Sequence, residues 1–297
     1  MSNKPRKMTL EKKHNLTGWA FLAPATFLIA VFSFWPMIKA LVLSFQTGKG
    51  TNMQMAGFTN YIRMFQDDVF IQSIKNTFFY FVLQVPIMLA VALVLACILN
   101  KKDLRFKGFF RTMIFLPCTT SLVAYSIIFR SLFANDGLVN YVLVNFGILD
   151  KPYNFLTQPF AAKMVIILAL LWRWTGYNMV FFLSGLQNIE YSVYEAAKID
   201  GASAIQTFFK ITVPVLKPTI LLTAIMSTNG TLQLFDESIN LTDGGPANAS
   251  ISMSHYIYNL CFKYVPNFGY AAAMSFFILL LVAVLAFIQM RVGDKRD

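Results

Sequence analysis

The sequence predicts an all-α integral membrane protein with six transmembrane helices and both termini cytoplasmic, and three observations carry that expectation. Hydrophobic residues make up 57% of the 297 residues and charged residues only 13%, with 30 Phe, a balance too apolar for a soluble globule. Runs free of acidic and basic residues recur at 14–38, 76–100, 112–129, 218–235 and 264–290, and 164–186 forms a sixth, interrupted only by Arg173. A helix crosses the hydrocarbon core with roughly 20 apolar residues, and lipid leaves no other partner for the backbone of such a run. Finally, the basic residues alternate between loops. Five precede Thr17, five fall at 101–111, three at 187–217 and three after 290, sixteen in all, against four (Lys49, Arg63, Lys151, Lys263) in the loops between. That bias orients the helices and explains the net charge of +11 without nucleic acid.

Taken in order, the helices are expected near 17–44, 74–99, 110–131, 162–186, 215–236 and 269–290. The first follows a basic tail over 1–16 and is far longer than a signal-peptide core, so it reads as a retained span. Pro24, Pro36 and Pro86 predict kinks. An external loop follows at 46–73, with Gly48, Gly50 and Gly57. The longest external connection, 131–161, carries turn signals at Asn135-Asp136-Gly137 and Lys151-Pro152. Residues 17–69 thus form a first span with its external loop, 70–290 the main transmembrane domain and 291–297 a cytosolic tail. Cys97, Cys118 and Cys261 fit no disulfide or metal pattern and read as small hydrophobes.

The cytosolic segment 187–217 is polar and built for helix, yet it only joins two spans. Ser192 with Glu195 three residues on reads as a capping box, Ala196 and Ala197 are strong helix formers, and Gly201 permits the backbone that ends a helix. Ser203 can start a second helix that aligns Ile205, Phe208 and Phe209, and Pro214 redirects the chain into the membrane. Periodicity alone also allows an amphipathic helix in the headgroup layer. The full spacing, Glu195-Ala196-Ala197, Gly201, then Ile211-Thr-Val213-Pro214, resembles the coupling loop of bacterial ABC-importer permeases, with Val213 for the commoner Leu. Gln187 to Ala202, Leu241-Thr-Asp243-Gly244-Gly245-Pro246 and Gly269-Tyr-Ala-Ala-Ala are similar to permeases of the maltose and multiple-sugar type, apart from Glu190, where that family usually has Pro.

The resemblance implies a multi-pass subunit of the bacterial cytoplasmic membrane that translocates a sugar, in the first instance an oligosaccharide, by alternating access. It also implies the partners: a second, related permease, two copies of a cytosolic ABC ATPase and an extracytoplasmic solute-binding protein. Magnesium-bound ATP would be used by the ATPase subunits, with no cofactor or metal on this chain. Glu195, Ala196, Ala197, Asp200, Gly201, Ile211 and Pro214 would form the coupling contacts, although Glu195 and Asp200 serve equally well as capping residues.

For the solute path, segment 227–237 is far more polar than its neighbours, and such side chains need other helices or a wet cavity. Ser227, Asn229, Thr231 and Gln233 are the candidates by resemblance, with interhelical hydrogen bonding as the plainer role. Trp172, Arg173, Trp174, Tyr177 and Asn178 combine aromatic faces with polar groups that suit a sugar. Arg173 could instead be a structural charge anchored against a neighbouring helix. The turn Asp243-Gly244-Gly245-Pro246 lies externally and would shape the outer mouth, or simply be a turn.

No G-x-x-x-x-G-K-[ST] phosphate loop, H-E-x-x-H or nucleophile elbow occurs, so the chain is not expected to be an enzyme. An ion-coupled secondary transporter remains an alternative, although Asp236 and Glu237 lie at the outer end of a span rather than midway. An importer of a non-sugar solute such as glycerol phosphate, and a membrane adaptor, are the other readings.

Overall fold

A computed structural model describes residues 9–49, 52–101 and 103–293. The first half of the expected N-terminal tail, most of the C-terminal tail, Gly50, Thr51 and Lys102 lie outside them. Helix α1 (Leu10–Ser44) is 35 residues long, and its apolar window has no buried residue. It meets the rest of the chain through Trp35–Ser44, which packs on the final helix. The helix runs through Pro24 and Pro36 with a single π turn at Ala30–Phe34. Pro36 offers no N–H and crowds the Phe32 carbonyl four residues back, and the wider turn relieves that clash.

The external loop after α1 is more ordered than its polarity suggests. Strands β1 (Gln46–Lys49) and β2 (Asn52–Met55) pair antiparallel, Gln46 opposite Met55, and α2 (Thr59–Met64) follows. Asn60 Nδ2 donates to the carbonyls of Ser44 (2.9 Å) and Gln46 (2.8 Å), fastening the hairpin to the end of α1. Helix α3 (Asp68–Asn100) is capped by Asp67, whose Oδ1 accepts from the amides of Val69 and Phe70 at 3.0 and 3.2 Å. It passes Pro86 without a break.

The third span departs from the straight helix expected over 110–131. It is a pair, α4 (Lys107–Thr119) and α5 (Leu122–Leu132), bent by 98°. Thr119 Oγ1 donates to the Leu116 carbonyl (2.8 Å) and Thr120 Oγ1 to that of Pro117 (2.7 Å). These side chains occupy carbonyls of the last turn, and Thr120 turns extended. Helix α6 (Leu138–Asn145) occupies the long external connection, and α7 (Pro159–Gln187) crosses back.

Helices α8 (Tyr191–Ile199) and α9 (Ala204–Val215) form the elbow, and α10 (Lys217–Leu232) leaves α9 at 70°. As at Pro36, a π turn (Phe208–Thr212) precedes Pro214 by two residues. Two shorter pieces, α11 (Asp236–Thr242) and α12 (Met253–Tyr258), precede the last span, α13 (Phe268–Gly293). Among the described residues, four helices are thus long and apolar enough to cross a membrane unbroken, and up to six spans result when each bent pair is counted once. The centre is α3 against α7, flanked by α4 and α10. Gly176 permits the α4–α7 contact, since a methyl group there would lie 1.9 Å from the Ile114 carbonyl oxygen.

Candidate functional site

Midway along α3 and α7 a cavity of about 300 Å³ opens between the helices, lined on the α3 side by Gln84 and Met88 and on the α7 side by Leu170, Trp174, Tyr177 and Asn178. Residues Met226, Ser227, Gly230 and Thr231 of α10 line the opposite wall. The segment Gln233 to Glu237, where α10 ends and α11 begins, meets Leu122 of α5 on its outer side. Polar side chains pair across this space. Thr231 Oγ1 donates to Gln84 Oε1 (2.8 Å), and Asn178 Nδ2 donates to the Trp174 carbonyl (3.0 Å) while its Oδ1 faces Ser227 Oγ at 3.4 Å.

Six of the residues singled out from sequence therefore converge: Trp174, Tyr177, Asn178, Ser227, Thr231 and Gln233. Three do not. Asn229 faces away, lining with Gln233, Ser254 and Ser275 a separate groove between α10, α12 and α13. Trp172 lies against Tyr125 and Phe129, with centroids 6.2 and 5.4 Å away. Arg173, 6% exposed, is turned toward the α4–α5 break, where Nη1 donates to the Thr120 carbonyl at 2.7 Å. Sequence reasoning missed Gln84 and Met88. The available signal was an amide in an otherwise apolar span, next to Pro86.

The elbow presents a different chemistry. Helix α8 ends in a Schellman pair: Ala202 N–H donates to the Ala197 carbonyl (2.9 Å) and Gly201 N–H to that of Lys198 (3.2 Å). Gly201 adopts φ +76°, a conformation costly for any side chain, with open space where a side chain would project. Ser203 caps α9 in a reciprocal box with Gln206. The box expected at Ser192 does not form. The N-cap is Glu190, two residues earlier than read, and Ser192 Oγ instead donates to the Glu190 carboxylate at 3.3 Å. Ala197 is buried, whereas Glu195, Ala196, Asp200 and Gly201 are exposed and Ile199 is 86% exposed. Ile211 and Pro214 continue along α9, and Tyr194 meets Thr212 Oγ1 at 3.3 Å, joining α8 to α9.

On the outer side, the Asp243–Pro246 turn is tied down rather than free. Ser250 Oγ donates to the Gly245 carbonyl (2.6 Å), Tyr80 hydroxyl to the Ser250 carbonyl (2.9 Å) and Asn76 Nδ2 to those of Asn248 and Ile251 (3.1 and 2.9 Å). Lys263 Nζ meets Asp243 Oδ1 at 2.7 Å. Beside it, fully buried His255 shares a hydrogen bond with Ser238 Oγ at 2.9 Å. Burial holds its imidazole down to about 4, against a smaller upward pull from Asp243 3.8 Å away. For Asp67, burial alone would raise the carboxyl, but donation from the Tyr256 and Tyr270 hydroxyls (2.7 and 2.8 Å) and two amides leaves it below the usual carboxylate range.

The arrangement matches known proteins along nearly its whole length. A lactose transport system permease protein of Rhizobium radiobacter is 52% identical over 292 residues, 98% of each chain. A multiple sugar-binding transport system permease protein of Streptococcus mutans is 33% identical, covering 97% of this chain and 99% of that one. A solved bacterial alginate ABC transporter, in complex with an alginate pentasaccharide-bound periplasmic protein, contains a chain of the same fold with a TM-score of 0.84 at 25% identity, over 98% of both. Residues 70–296 match the family described as binding-protein-dependent transport system inner membrane component. With that match over most of the chain, the protein is a member of this family of inner-membrane permeases.

Proposed function

We propose that this chain is the sugar-translocating permease subunit of an ATP-driven importer, working with a second permease, two cytosolic ATPases and an external binding protein. The observation that carries the reading is the elbow: its ordered, capped helices expose Glu195, Ile199, Asp200 and Gly201 while the next helix forms the cavity wall. Movement of α8 passes to α9 through packing around Tyr194 and Thr212, and then across the 70° bend to α10. Since α10 carries Ser227, Gly230 and Thr231, a push from below reshapes the midspan cavity. That is the coupling alternating access requires, with the nucleotide held by partner subunits.

The cavity's chemistry favours a neutral sugar. Amide, hydroxyl and aromatic groups line it, and among the described residues no Lys or Arg does, whereas Asp236 and Glu237 do. An sn-glycerol-3-phosphate transport system permease of Agrobacterium fabrum is 30% identical to the chain, yet an anionic solute would meet these carboxylates without a cation. The relatives named for lactose and arabinooligosaccharides point to a di- or oligosaccharide. The test is uptake of radiolabelled lactose into vesicles holding the full complex and its binding protein. Uptake that requires ATP and the ATPase subunits is expected. Uptake driven by an ion gradient without them would overturn the reading.

A further inference from the structure

Among the described residues, Arg173 is the charged side chain set nearest the middle of a long span, and it has an unusual partner. Its Nη1 donates to the Thr120 and Pro117 carbonyls (2.7 and 3.3 Å) and to Thr120 Oγ1 (3.1 Å), all at the break between α4 and α5. Its guanidinium carbon lies 4.8 Å from the centroid of the fully buried Tyr125 ring. The Tyr125 hydroxyl in turn donates to the carboxylate of Glu237, which is 3% exposed. A buried cation and a buried carboxyl group are thus joined through one tyrosine, whose ring face takes the positive charge and whose hydroxyl bonds the carboxyl. Burying such groups is costly without compensation.

The elements joined are the outer half of the bent third span and the short helix that follows α10. Tyr125 belongs to α5, just beyond the 98° bend, and Glu237 to α11, separated from α10 by the non-helical residues 233–235. Helix α11 packs along α5, and both begin at the cavity, through Leu122 on one side and Asp236 and Glu237 on the other. The cavity lies midway along α3 and α7, and the loops that follow α5 and α11 are external, so this pair lies across its outer side. Each piece is separated from the helix before it by a break in the helical backbone.

We infer that the Tyr125–Glu237 hydrogen bond is the fastening of an outer gate over the cavity, and that Arg173 is a positioning residue that holds Tyr125 in place for it. The bond keeps α5 and α11 together while the cavity is shut to the outside, and parts when solute enters. This rests on the importer reading above and adds to it the contact that seals one side. It also accounts for Arg173 standing outside the cavity while remaining buried.

The test measures access. Ser227→Cys is placed in a chain whose Cys97, Cys118 and Cys261 are replaced by Ala, assembled in the full complex in vesicles of known orientation without nucleotide. A membrane-impermeant charged maleimide is added from outside. Tyr125→Phe, which removes only the hydroxyl, is expected to speed labelling roughly tenfold. Glu237→Gln, which keeps an acceptor, should fall between this variant and the parent. Glu237→Leu should match Tyr125→Phe, and the double variant should label no faster than either alone. A packing role alone would lower the yield of assembled complex without this pattern. Labelling at the parent rate in an assembled Tyr125→Phe complex would overturn the gate, and Glu237→Leu decides the matter if that variant fails to assemble. Absence of ATP-driven uptake by the parent complex would instead sink the importer reading, leaving the labelling comparison intact.

Discussion

His255 and Asp67 both tie the outer loops to the helix bundle through polar contacts, and both make those ties sensitive to acid. The imidazole is neutral and enclosed, with its protonation pushed down to about 4 by burial. An unfolded chain protonates its histidine near 6.5, so between those values it binds more protons than the native protein, and stability falls as pH falls through that window. The loss from this residue is at most about 3 kcal/mol by pH 4. Asp67 acts in the same direction at lower pH: its lowered carboxyl adds stability that is present above the ordinary carboxylate range and is lost as protons fill it. Thermal melts of the detergent-solubilised protein should therefore drop from pH 7 to 4, and His255→Gln should flatten the slope between pH 6.5 and 4. An unchanged slope would show that this imidazole is not held neutral.

At the scale of elements, the legible features were those set by local chemistry. Apolar length located the spans, the Ser203 cap and the Gly201 helix stop formed as read, and Pro214 lies at a redirection of the chain. The bend at Thr120 was not read, although Pro117 lies three residues before it, because a proline in an apolar run can be passed without a break, as at Pro86. Its cause is side-chain competition for carbonyls together with Arg173 arriving from 53 residues away, a contact sequence spacing cannot reveal. Ser192 was misread because two positions separated by Tyr191 both offered a polar side chain, and the extended backbone fell at Glu190. For the elbow itself, Gly201→Asp adds both a strained φ and a charge where a partner would approach. The variant should insert in the membrane at near-normal yield yet lose nearly all transport-coupled ATP hydrolysis. Normal lactose uptake by it would count against a docking role.

For the whole molecule, the division of labour follows from what each end of the bundle can offer. The midspan cavity supplies hydroxyls, amides and aromatic faces, and on the proposed reading the Tyr125–Glu237 pair would close its outer side and the elbow would act as the handle joined to the cavity wall. Membership in the inner-membrane transport family accounts for the large apolar surface left on α1, none of whose span window is buried within the chain. The cavity's composition was partly legible, since the polar run on α10 and the aromatic run on α7 were both visible. The contribution of Gln84 was not, because one amide in α3 carries no direction until the helices are packed. The most direct measurement places a photoreactive amino acid at Ile199, which is 86% exposed at the end of α8, and illuminates the assembled complex in membranes. Cross-linking to the cytosolic ATPase subunit is expected. Capture of lipid alone, with the ATPase present and active, would contradict the claim that this elbow receives the driving force.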